Sequence, residues 1–187
     1  MKILCYGDSN THGYNPQDFF GGTYPRHSRW PEILQDTYGY ETINKGMNGR
    51  ELPDSEWQFD YLGKDLKAFH PDVLLIMLST NDILHNVTDE QLDEKFNKLC
   101  VWLNQNCKDI TPVLIVPVRC VAYGTASEGR CDAAADILLE NAEKYGINTV
   151  HADQWNIPLA YDGIHFTAEG HRDFAEHMSE YLKRSEC

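Results

Sequence analysis

The chain has 187 residues, 42% of them hydrophobic and 24% charged, with a formal net charge of −13. That length suits a single domain over residues 1–187, which hides roughly 70% of the surface its unfolded chain would expose, so a core can form without metal or disulfide staples. So acidic a surface repels phosphate backbones and anionic lipid, which argues against nucleic acid and membranes as partners, and no segment approaches the ~20 apolar residues that span a bilayer.

The chain opens on an apolar run, Met1 to Tyr6, that meets a turn glycine, Gly7, too soon to serve as a secretory leader. A cytoplasmic location is expected. Short β-rich runs at residues 2–6, 41–44, 73–78, 113–116 and 148–151 read as strands, brief and continuous as strands buried on both faces tend to be. Helical patterns lie between them, beginning with residues 30–38. A second helix is expected from about residue 54 to 69, with Phe59, Leu62, Leu66 and Phe69 inward and Pro71 stopping it. The clearest covers residues 88–107. Thr88 and Gln91 make a capping box, and Leu92, Phe96, Leu99, Cys100, Leu103 and Cys107 recur at helical spacing. Residues 133–145 and 168–183 complete the set, the last capped by Thr167.

Five strands alternating with five helices predict an α/β fold. The expected architecture is a three-layer α/β/α sandwich around a five-stranded parallel sheet, flavodoxin-like in its winding. The six cysteines form no CxxC pair and no metal-finger spacing, so reduced structural thiols are expected, with Cys120 and Cys131 flanking a polar loop as the two placed to pair. No cofactor or metal is expected. Ligands in such folds bind at the carboxyl ends of the strands, here just after residues 6, 44, 78, 116 and 151.

Four polar clusters meet on that rim. The first strand ends in Gly7-Asp8-Ser9-Asn10, and the second runs into Asn44-Lys45-Gly46-Met47-Asn48-Gly49-Arg50. The third ends in Ser79-Thr80-Asn81-Asp82, and Asp162-Gly163-Ile164-His165 precedes the last helix. Singly, each has a plain explanation as a cap, a turn or a spare histidine. Together they supply every role in acyl transfer: a nucleophile, a base, an orienter and oxyanion donors. Ser9 is a serine hydroxyl at a strand–helix turn, weak until a base takes its proton. His165 can be that base, because an imidazole titrates near neutrality. Asp162, three residues earlier, can fix its tautomer and stabilise the imidazolium. Asp82 also precedes His85 by three residues, but it follows Asn81 directly and reads better as a loop-ordering residue. The oxyanion donors would be the amides of Ser9 and Gly49 and the side chain of Asn81. Asp8, Asn10, His12, Tyr14, Trp30 and Asn48 are expected around the substrate; Trp30, like Trp155, serves equally well as core, and Arg50 is expected to order the Gly49 loop.

These clusters resemble, in order, the sequence blocks of the SGNH hydrolases, the GDSL lipase/esterase family. Asn10 stands where the name-giving Leu often does, Gly49 matches the glycine block, Asn81 the asparagine block, and Asp162 with His165 the final D-x-x-H block. The match spans residues 7 to 165. Ile3-Leu4-Cys5-Tyr6-Gly7-Asp8-Ser9, Arg29-Trp30, the run from Ile76 to Asp82 and Asp162-Gly163-Ile164-His165-Phe166-Thr167 are most similar to bacterial arylesterase/acyltransferase members. The resemblance implies cleavage of short-chain acyl esters, a small-molecule ester as partner, acyl transfer to alcohols or peroxide in some members, and homo-oligomers in several. Two departures stand out. Ser79 occupies a position that is usually glycine, and residues 118–130 have no counterpart and are expected to shape the pocket.

The rival readings lack their own marks. A phosphate-binding loop would carry G-x-G-x-x-G or end in GK[ST], and an α/β-hydrolase would carry G-x-S-x-G. A receiver domain would place a lysine after the fifth strand, where the chain reads His151-Ala152-Asp153. A catalytically inactive carbohydrate- or lipid-binding module on the same fold is the main non-enzyme alternative. It would tolerate a missing catalytic position, and none is missing.

Overall fold

In the computed structural model, which describes residues 1–121 and 125–185, five parallel strands form one sheet. They are β1 (Lys2–Gly7), β2 (Glu41–Gly46), β3 (Val73–Met77), β4 (Thr111–Val116) and β5 (Asn148–His151), in the order β2-β1-β3-β4-β5. β3 is the central strand and all five of its residues are buried, whereas the edge strand β2 is only partly covered. That difference explains two boundaries that fall beyond the expected ones. β2 continues through the polar Lys45 to Gly46, and β4 starts at Thr111-Pro112, where a proline hides the strand onset.

Side chains alternate across the sheet and build a core on each face. Leu4, Tyr6, Leu74, Ile76, Leu114 and Val116 face α3 (Glu56–Phe69), α5 (Asp89–Asn106) and α6 (Thr125–Tyr145). Ile3, Cys5, Val73, Leu75, Met77, Val113 and Ile115 face α2 (Trp30–Tyr38) and α7 (Ala168–Ser185). Both long-helix capping boxes form, Ser55 with Gln58 on α3 and Thr88 with Gln91 on α5. α3 stops at His70 in a left-handed conformation, just before Pro71. Two short helices were not expected as separate elements: α1 (Ser9–His12) and α4 (Thr80–Leu84), each directly after a strand.

α6 begins eight residues earlier than the apolar pattern predicts, because its first turns are polar and include Gly129. The 118–130 segment is therefore helical from Thr125 on, but residues 122–124 lie outside the described residues, and so does part of its expected role in shaping the pocket. At the two ends of that segment, the sulfurs of Cys120 and Cys131 lie 3.4 Å apart, a thiol contact rather than a disulfide bond. Among the described residues, no helix is long and apolar enough to cross a membrane.

The winding reverses between β1 and β3: β2 follows β1 on one side, and β3 follows on the other. Doubly wound sheets bind ligands at this switch point. α1 and α4 start there, carrying Ser9 and Asn81.

Candidate active site

The turn after β1 is tight for a steric reason. A Cβ on Gly7 would lie 2.1 Å from Thr11 Oγ1 and 3.0 Å from the Met77 carbonyl oxygen, so only glycine lets the strand pass directly into α1. Asp8 caps that helix, its Oδ1 accepting the Asn10 amide at 2.9 Å, and Ser9 becomes the first helical residue. Asp8 is 1% exposed. Burial pushes its carboxyl up to about 6, against the opposing pull of the Asn10 amide and the charges of His165 and Arg50.

The partner of Ser9 arrives 156 residues later, on a short hairpin between Leu159 and Phe166. Asp162 organises its tip. Oδ1 accepts the amides of Ile164 and His165, each at 3.0 Å, and Oδ2 accepts His165 Nδ1–H at 2.7 Å. Burial alone would raise this carboxyl. The amide and imidazole of His165 and the amide of Ile164 outweigh it and hold Asp162 below the usual carboxylate range. With Nδ1 donating, His165 Nε2 is the acceptor that faces Ser9 Oγ at 3.0 Å. Serine, imidazole and carboxylate thus form a continuous relay that can move a proton off the hydroxyl. The Tyr14 ring lies 4.7 Å from the imidazole.

The loop after β2 brings up the second set of groups. Gly49 sits at φ 71°, in the left-handed region, and is exposed together with Asn48. Arg50 anchors this loop. Its guanidinium donates to the carbonyls of Gly7 (3.0 Å) and Lys45 and lies over the Tyr6 ring at 4.0 Å. Asn81 Nδ2 donates to the Arg50 carbonyl at 2.9 Å, so its side chain ties two strand ends together instead of forming its own turn. An amide nitrogen has two hydrogens, and the second remains for a ligand. Asp82 does order the loop: its Oδ2 accepts the Leu52 amide at 3.0 Å and its Oδ1 accepts Lys95 at 2.7 Å. His85 pairs with Glu51 at 2.6 Å and not with Asp82, so Asp82 and His85 form no working pair. Ser79 holds a left-handed backbone at φ 102°, a conformation that favours glycine.

Three residues expected around the substrate sit elsewhere. Trp30 is 1% exposed and packs its ring on Phe174, so the core reading applies to it. Asp8 is buried as the cap of α1, next to Ser9. Asn10 is 7% exposed and its amide is spent on the backbone of Ile164 and Phe166. His12 closes α1, half-buried, and Trp155 stacks on His177 against α7. Tyr161, which the sequence did not single out, stands just before Asp162. It is 81% exposed and its hydroxyl donates to the Pro16 carbonyl at 2.8 Å.

Known proteins share the family profile and the fold of this chain. The sequence profile of the GDSL-like Lipase/Acylhydrolase family matches residues 5–172. A multidomain esterase from Ruminococcus flavefaciens is 25% identical over an alignment of 136 residues that covers 66% of this chain and only 18% of that protein. A carbohydrate acetylesterase from Sinorhizobium meliloti, Est24, superposes with a TM-score of 0.82 at 19% identity, covering 98% of each chain. The native aryl esterase of M. smegmatis superposes with a TM-score of 0.80 at 21% identity, again covering 98% of each. At such identities the superpositions establish the shared fold, and the profile match over most of the chain establishes the kinship: the protein belongs to the GDSL-like lipase/acylhydrolase (SGNH) family.

Proposed function

We propose that this chain, as a single SGNH domain, is a serine esterase that removes short acyl groups, acetyl above all, from small alcohol or sugar esters. The observation that carries the reading is the unbroken relay from Asp162 Oδ2 through His165 to Ser9 Oγ, with steps of 2.7 and 3.0 Å. In the proposed reaction Ser9 Oγ attacks the acyl carbonyl while His165 Nε2 takes its proton. Asp162 holds Nδ1–H and stabilises the imidazolium. The oxyanion is met by the amides of Ser9 and Gly49 and by the second Nδ2 hydrogen of Asn81. Collapse of the tetrahedral intermediate expels the alcohol, which leaves with the proton from His165, and Ser9 retains the acyl group. Water, deprotonated by His165 in turn, releases the acid. An alcohol in place of water would give acyl transfer.

Three supports favour short acyl groups. Ser9 lies on an open sheet rim. Tyr14 borders the imidazole, and the polar Asn48 and Asn81 lie just beyond the carboxyl ends of β2 and β3. Two proteins of the same fold are a carbohydrate acetylesterase and an aryl esterase. The test is a panel of p-nitrophenyl esters from acetate to laurate beside acetylated monosaccharides. Acetate to butyrate esters should react fastest. Faster turnover of laurate than of acetate would reject the short-acyl reading, and no turnover of any ester would reject the esterase reading.

A further inference from the structure

We infer that Asn10 is a positioning residue for the base: its side-chain amide clamps the main chain on both sides of His165 and thereby sets the distance from His165 to Ser9. Asn10 Nδ2 donates to the Ile164 carbonyl at 3.1 Å, and Asn10 Oδ1 accepts the Phe166 amide at 2.9 Å. The two backbone groups belong to the residues immediately before and after the imidazole. Of the side chains, only an amide of this length offers a donor and an acceptor side by side. The inference rests on the esterase reading for its kinetic consequences but not for its geometry.

The hairpin that carries His165 is otherwise tied mostly to itself. The Ala160 amide donates to the His165 carbonyl, the Gly163 amide to the Ala160 carbonyl, and the Thr167 amide to the Pro158 carbonyl. The amides of Ile164 and His165 are taken by Asp162, inside the same hairpin. Such local bonds fix the shape of the tip but not its place over the sheet. Of the ties that reach outward, three hold the main chain and the base of the tip. The Val121 amide donates to Gly163, Tyr161 reaches Pro16, and the Phe166 ring sits in the core against Phe174. None of them comes from the element that holds the nucleophile. Asn10 does, and its own backbone is fixed by the Asp8 cap. It therefore couples the first turn of α1 to the main chain on either side of the imidazole, across 154 and 156 residues of chain. The clamp is 7% exposed, so water cannot easily replace a lost partner, and an unpaired buried amide at Phe166 would favour displacement of the tip. The usual leucine at this position could make neither bond.

The experiment compares wild type with Asn10→Leu, which keeps the branching at Cγ but loses both bonds, and the isosteric Asn10→Asp, which keeps the acceptor for Phe166 but sets an oxygen against the Ile164 carbonyl. Ester hydrolysis is measured well below each melting temperature, and proton NMR follows the Nδ1–H of His165. Asn10→Leu should lower kcat by ~10²-fold, the cost of a misplacement near 1 Å, with KM within about twofold. Asn10→Asp should fall between Asn10→Leu and wild type. The Nδ1–H signal should weaken or broaden in both. Normal kcat and an unchanged signal in folded Asn10→Leu would overturn the clamp. A raised KM at normal kcat would overturn it too, by showing a substrate contact. Should Asn10→Leu not fold, Asn10→Asp decides by the same two measurements. Wild-type protein without esterase activity would remove the functional reading alone, since the NMR comparison still decides the clamp.

Discussion

Asp8 is a buried acid held at an energetic cost, and replacing it with asparagine should stabilise the protein at neutral pH. Asparagine is isosteric and can still cap the Asn10 amide through its oxygen. The ordinary value of 3.8 and the buried value of about 6 differ by about 2 units, or about 3 kcal/mol at ~1.4 kcal/mol per unit. The sign follows from proton binding. Below pH 3.8 the carboxyl is neutral in both states and contributes nothing. Between 3.8 and 6 the unfolded chain releases its proton while the native protein keeps it, so stability falls as pH rises. Above about 6 both are ionised and the full cost is present. The stability of Asp8→Asn minus that of wild type should therefore open from near zero at pH 4 to about 3 kcal/mol at pH 7. His171 bends the wild-type curve the other way. Burial first, and then the charges of Arg29 and His165, push it down to about 3, so it favours unfolding as pH drops below its ordinary value. It is present in both proteins and cancels in the difference. Urea titrations of the pair at half-unit steps from pH 4 to 8 measure it directly. A difference that stays flat, or that shrinks as pH rises, would refute the reasoning.

Other outcomes follow from single contacts. Ser79→Gly should raise the melting temperature by about 2–4 °C: relieving a non-glycine residue at φ 102° gains ~1–2 kcal/mol, and the extra freedom of unfolded glycine takes back part of it; a lower melting temperature would show that the serine hydroxyl matters more. Asn81→Ala should lower kcat by ~10²–10³-fold through loss of an oxyanion donor, while thermal melts register only the loss of its bond to Arg50. Asn81→Asp is a poorer probe, because its carboxylate would face the Arg50 carbonyl and disturb the fold as well. Among the described residues no group of three or more His, Cys, Asp or Glu converges on one point, and EDTA should leave kcat unchanged; loss of activity restored by a divalent ion would contradict this.

Much of this was legible in the sequence because it was local or periodic. The β3 run from Val73 is apolar throughout and buried throughout. The capping box at Thr88 and Gln91 needs only four residues to be read. Asp162 and His165 lie three apart, so their contact is a property of one turn. What escaped was either non-local or polar where helices are usually recognised by apolar spacing. The first turns of α6 carry no apolar stripe. Lys95 reaches Glu51 and Asp82 from a helix far along the chain, a meeting that no spacing encodes. Asn10 reads from its motif as a substrate neighbour, and its bonds to the main chain of Ile164 and Phe166 stay hidden because those partners lie 154 and 156 residues away. Trp30 illustrates the limit of residue type alone: an aromatic beside a motif suits a pocket wall and a core equally, and only the packing on Phe174 decides.

The central claim is that Ser9 is a nucleophile activated by His165, and intact-protein mass spectrometry after exposure to a fluorophosphonate tests it most directly. Wild type should gain a single adduct that maps to Ser9. Ser9→Ala should gain none, and His165→Ala should react on the order of 10³-fold more slowly, because the groups act as a unit. Labelling at another residue, or an adduct on Ser9 that forms equally fast without His165, would contradict the relay of 2.7 and 3.0 Å on which the account stands.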